Sequence, residues 1–159
     1  MLDRLTALAE TPPWTERAGE PVKRALTASV AHEWKRTRKR LKRADKADTP
    51  DERTARLHDV RKAAKRARYA AEPLVPVLGR DAARFVKATK KVQSVLGDHH
   101  DTVEARSEVR RLAGTGTSVD ETFALGDLHA RLGHDLDTFE SRFQKAWAKA
   151  SRKLHRWLT

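Results

Sequence analysis

Three observations predict an all-α protein, an antiparallel four-helix bundle with long helices. Apolar residues recur at three- and four-residue intervals through most of the chain, which is the spacing of one helix face. Only 7 glycines and 6 prolines interrupt 159 residues, so long runs of good helix formers (Ala, Leu, Lys, Arg, Glu) are left unbroken. Where breaks occur, they carry helix start and stop signals and are short, as antiparallel neighbours require. The length suits one domain with a real core and is too short for two comfortable ones. We divide it into an N-terminal extension over 1–19 and a helical bundle over 20–159.

The elements follow in order. Residues 2–10 form a short helix that Thr11-Pro12-Pro13 ends. A first long helix runs over about 21–46, with Leu26, Val30, Trp34, Thr37 and Leu41 on its inner face. Thr49-Pro50-Asp51-Glu52 is a start signal: Thr caps, Pro takes the first helical position, and Glu stands three residues after the cap. That second helix reaches Glu72, where Pro73 ends or kinks it and Pro76 and Gly79 complete a turn. A third begins near Asp81 with Phe85, Ala88, Val92, Val95 and Leu96 inward. Gly97 reads as its terminator and Asp98 as the cap of a continuation over 99–112. Ser118 and Glu121 form a capping box. They start a fourth helix near Val119 that runs to about Trp157, its inner stripe being Phe123, Leu128, Leu132, Leu136, Phe139, Phe143, Trp147, Ala150 and Leu154.

Composition then narrows the function. Without cysteine there is no disulfide and no thiolate chemistry, which fits a reducing compartment. The longest apolar runs are far below a membrane span, and residues 1–19 lack the apolar core of a signal peptide. A cytoplasmic, soluble protein with no membrane partner is expected. The net charge is +12, and it is unevenly spread. From Lys35 to Tyr69 there are 15 Lys and Arg against 5 Asp and Glu, so most of the excess sits in about a fifth of the chain. Such localisation points to an anionic partner.

The stretch LHDVRKAAKRARYAAE, residues 57–72, holds the densest part of that charge. On a helical wheel Leu57, Val60, Ala64, Ala67, Ala71, Leu74 and Val75 share the inner arc, with Arg61 and Arg68 at its edge. Lys65, Glu72 and His58 lie one step further out, then Lys62 and Tyr69, while Arg66 points away. The cations form a lengthwise stripe, roughly one per turn, whose mutual repulsion costs stability unless an anion neutralises it. Lys87, Lys90 and Lys91 lie on the outer side of the third helix and add a second bank. The first helix adds several cations around its core stripe, Arg38 and Lys42 among them. Arginine forks and lysine point charges suit phosphate oxygens. His58 either donates to an anion or is hydrogen-bonded for structure, and Tyr69 either donates its hydroxyl or packs its ring.

Two other classes compete. A single-strand nucleic-acid binder needs exposed aromatic platforms; here Trp34, Phe85, Phe123, Phe139, Phe143 and Trp147 fall on inner stripes, leaving Tyr69, Trp14 and Trp157. Non-specific binding to nucleic-acid phosphates stays open, since electrostatics separates polyanions poorly. A metal-dependent phosphohydrolase would rest on Asp98-His99-His100-Asp101, with further ligands from His58, His129 or His134, whose spacing carries no signal.

The pattern LHxxRxxxKRxRYxxE followed by KxxKxxQxxLGDxxD resembles the conserved-histidine α-helical domain, CHAD. It is met by Leu57, His58, Arg61, Lys65, Arg66, Arg68, Tyr69 and Glu72, then by Lys87, Lys90, Gln93, Leu96, Gly97, Asp98 and Asp101. The resemblance spans about 22–112, and Phe123–Gly126 with the tryptophan-bearing last helix also fit. It implies a helical, non-catalytic module without cofactor or metal that binds inorganic polyphosphate through a basic groove, often at polyphosphate granules. The expected contacts are His58, Arg61, Lys62, Lys65, Arg68, Tyr69, Lys87, Lys90, Lys91, Arg38 and Lys42. Members usually carry two four-helix bundles, each with its own histidine motif. This chain has one copy, resembling the C-terminal half, and Thr89 stands where the family tends to have an aliphatic residue. A second CHAD-like bundle or a homodimer is therefore the expected partner beside polyphosphate.

Overall fold

The computed structural model describes residues 6, 9–12, 15–115 and 118–158, with the backbone alone at 16–17 and 155–158. Among them there is no strand. Residues 6, 9 and 10 are helical; the rest of the short helix expected over 2–10, and the rings of Trp14 and Trp157, lie outside the described residues. Five long helices follow a 3-10 turn at Glu16–Gly19: α1 (Val22–Ala44), α2 (Pro50–Ala71), α3 (Arg80–Ala113), α4 (Val119–Asp137) and α5 (Phe139–Leu158).

The caps are where side-chain chemistry puts them. Thr49 accepts from the Glu52 backbone N–H (3.2 Å), while Glu52 accepts from the Asp48 N–H (2.9 Å). Arg56 then ties the end of α1 to the start of α2, donating to the carbonyls of Arg43 (2.6 Å) and Lys46 (3.1 Å). The Arg43 carbonyl lies in the last turn of α1 and has no partner inside that helix, while the Lys46 carbonyl belongs to the turn that follows. Pro73 ends α2, and a 3-10 turn and a single α-turn lead to Gly79, whose φ of 57° suits a residue without Cβ. Ser118 and Glu121 form the expected capping box on α4.

α1, α2, the first half of α3 and α5 close a four-helix bundle in that cyclic order. α1 and α5 meet chiefly through the stacked rings of Trp34 and Trp147, 4.7 Å apart. Phe85 of α3 meets Trp34 edge-on, and Phe139 and Phe143 extend the aromatic column along α5. Small residues line α2, where Ala63, Ala64, Ala67 and Ala71 are fully buried, so its neighbours approach closely. The two buried threonines are satisfied within their own helices: Thr37 donates to the Glu33 carbonyl and Thr89 to that of Phe85, each at 2.8 Å. Thr89 thus fills an apolar position with its hydroxyl turned onto the backbone.

Two expectations fail. α3 neither stops nor pauses at Gly97; it runs unbroken for 34 residues, about 51 Å. Gly97 is buried within it and Asp98 caps nothing. The fourth helix, conversely, is interrupted at Thr138 and becomes α4 and α5. α5 belongs to the bundle, whereas α4 packs mainly on the outer half of α3 and buries no residue completely. Phe123 and Leu128, assigned to the inner stripe, are 81% and 44% exposed. The pattern was amphipathic, but beyond the start of α2 the bundle offers no third helix to cover it.

Candidate functional site

The seam between α2 and α3 gathers most of the opening stripe. α2 presents His58, Arg61, Lys62, Lys65, Arg68 and Tyr69 along one edge, because its alanine face must turn inward. Opposite, Gly97 makes room: a Cβ there would lie 3.3 Å from Arg61 Nε and 3.6 Å from Nη2. The guanidinium is therefore seated against the α3 backbone. One turn on, the His58 and His100 rings are 4.8 Å apart, and both Nδ1 atoms are buried without a hydrogen-bond partner. Burial, with Lys62, His100 and Arg61 nearby, holds His58 below the ordinary histidine range. It is neutral near pH 7, and an anion placed here would reverse that bias.

Not every cation of the stripe is free. Lys62 pairs with Asp59 (2.9 Å) and holds its carboxyl below the usual range. Arg68 lies 3.3 Å from Glu72. Arg66, expected to face solvent, turns toward α1 and lies 3.6 Å from Glu33. Tyr69 is half exposed and carries Arg68 and Lys65 over its ring at 4.8 and 5.6 Å, so its face holds cations in place. Among the described residues neither Arg61 nor Lys65 has an ion-pair partner.

The remaining expected contacts fall elsewhere. Lys87, Lys90 and Lys91 line a cleft of about 690 Å³ between α3 and α5, with Arg84, Lys149 and Lys153. Arg38 and Lys42 line another of about 490 Å³ between α1 and α5, beside Trp34 and Leu154. Thus the eleven residues are divided over three seams of the bundle. Lys149 and Lys153 were not singled out from the sequence, and His100 was singled out only for the metal reading, not as a neighbour of His58. The four-residue spacing of Lys145, Lys149 and Lys153 was a signal, but a solvated helix face carries the same one.

Asp98-His99-His100-Asp101 does not converge on a point. His99 turns toward α5 and packs on Phe139 (4.1 Å), while His100 turns toward α2 and lies 3.2 Å from Glu104. Asp98 accepts from Arg142 of α5 (2.6 Å). Among the described residues no three His, Asp, Glu or Cys side chains are grouped as a metal site.

No helix among the described residues is long and apolar enough to cross a membrane. Neither the curated proteins nor the solved structures contain a match. A family model, described as the CHAD domain, matches residues 1–110. The match takes in the stretch set apart as an extension at 1–19 together with α1, α2 and nearly all of α3, and stops short of α4 and α5. It therefore lies in the N-terminal region of the chain, the last helices do not contribute to it, and the expected likeness to the family's C-terminal half is not borne out. With the LHxxR stretch and its lysine- and glycine-bearing partner helix facing each other across one seam, this chain belongs to the CHAD-domain family.

Proposed function

We propose that the chain binds inorganic polyphosphate without turning it over, along the wall that α2 and α3 form around Arg61. CHAD domains in general bind polyphosphate. The observation that carries the reading here is the row of His58, Arg61 and Lys65 at one seam, its two Lys/Arg members lacking a carboxylate partner among the described residues. A polymer of closely spaced phosphates supplies the missing charge, and side chains seated on rigid helices lose little freedom on binding. Lys90 and the lysines of the α3–α5 cleft extend the basic surface around α3. A second bundle, from another copy or another chain, would enclose the polymer from the other side.

The test is a titration with long-chain polyphosphate, competed with duplex DNA of equal total charge. Replacing Arg61, Lys65 and Arg68 together by Ala should weaken binding roughly 100-fold, at about 1 kcal/mol for each exposed charge contact. Helicity should hold, since alanine is the better helix former. Affinity should also fall steeply with salt. Unchanged affinity in the triple variant sinks the assignment, and equal competition by DNA turns the reading toward general phosphate-backbone binding.

A further inference from the structure

We infer that the cleft between the first turns of α2, the outer half of α3 and α4 is a separate site for a compact polyvalent phosphate, of pyrophosphate or triphosphate size. It lies on the far side of α3 from Arg61: Arg106 is nine residues from Gly97, about half a turn round the helix. The inference therefore stands whether or not the long polymer binds along α2. The cleft has a volume of about 530 Å³, within the range of small-ligand sites. Arg53, Arg106, Arg110, His99 and His129 converge on it from three helices.

Arg106 is the centre of the argument. Its guanidinium lies against α4 at Gly133, where a Cβ would sit 3.4 Å from Nη2 and 3.5 Å from Cζ. Its Nε is buried without a hydrogen-bond partner, although guanidinium stays charged in proteins. Arg110 stands one turn further along the same face, so two like charges are held side by side. Among the described residues neither has a carboxylate partner. Arg53 is already paired with Glu140 at 2.8 Å, and Asp51 contributes one carboxylate to the rim. What remains is two unpaired forks with two imidazoles beside them. Guanidinium forks accept phosphate oxygens in pairs, and two forks a turn apart suit linked phosphates better than a single small anion. The ligand is a free compact polyphosphate or the end of a longer chain, since both present the same terminal groups.

Triphosphate is titrated into the full chain while the imidazole NMR signals of His99 and His129 are followed, with sulfate as the small-anion control. Saturable shifts at both histidines are expected, and they should persist when Arg61, Lys65 and Arg68 are all Ala. Arg110→Gln, at an exposed position that does not support the core, should weaken the response about tenfold. Arg106→Lys, which keeps the charge and loses the fork, should weaken it as well. Long-chain polyphosphate at equal concentration of chain ends separates the sources: equal shifts mean that the chain end enters, and shifts with triphosphate alone mean a free anion. Loss of the shifts in the α2 triple variant, an equal response to sulfate, or undiminished affinity in both arginine variants would overturn the inference.

Discussion

Two glycines do at residue scale what their neighbours in sequence could not announce. Gly97 and Gly133 both sit inside helices, where glycine costs up to about 1 kcal/mol relative to alanine. Each lies under an arginine that crosses from the adjacent helix, Arg61 and Arg106 respectively. Gly126, by contrast, has nothing within 4 Å of where a Cβ would be, so of the two glycines inside α4 only Gly133 is a point of close packing. The substitution Gly97→Ala separates stability from function. The added methyl would press on an exposed, flexible side chain, which can give way, while the helix gains propensity. Thermal stability should stay level or rise by the equivalent of less than about 1 kcal/mol, yet polyphosphate binding should weaken as Arg61 is lifted from its seat. A fall of several degrees in Tm would show that Arg61 cannot move aside. From the sequence alone a mid-chain glycine before Asp reads as a stop signal, because its cover comes from another helix.

The helices divide by what covers them. Periodicity located α1, α2 and the inner face of α3 well, and the caps at Thr49 and Ser118 were legible because capping is settled within four residues. It overstated the fourth helix, since an apolar stripe records which face prefers burial and not whether a partner is there. Phe143 and Phe123 measure the difference. Phe143 is 3% exposed, between Phe139 and Trp147, and its replacement by Ala should cost about 3–5 kcal/mol. Phe123→Ala, on the uncovered part of α4, should stay within about 0.5 kcal/mol. Urea unfolding of the two variants is the measurement; similar losses would mean that α4 is packed as part of the core.

Over the whole molecule charge is polarised. α1 and α2 carry most of the excess cations, while α4 holds five carboxylates and a single arginine. One titratable group that links this distribution to stability is His99, half-buried against Phe139; that burial, with Arg53 and His100 nearby, keeps it below the ordinary histidine range. The unfolded chain then takes up its proton first, at the ordinary value of about 6.5. Stability is full above that pH and declines as pH falls below it; His58 is shifted in the same direction. Denaturation midpoints at pH 7.5 and 5.5, a window above most carboxylates, should therefore differ in the native chain and differ less in His99→Gln. Equal drops in both would assign the effect to other groups. What the sequence determined by itself was local or additive: helical content, caps, the concentration of cations beside an alanine seam, and the family pattern across α2 and α3. These follow from periodicity and from contacts between residues a turn apart. Only the tertiary structure decided which cations share a seam, setting Lys87 and Lys91 beside Lys149, Arg38 and Lys42 beside Trp34, and Arg61 against Gly97. A wheel places a charge on the edge of one helix, but its companions depend on the neighbour across the seam, and that is chosen by the packing of the whole core.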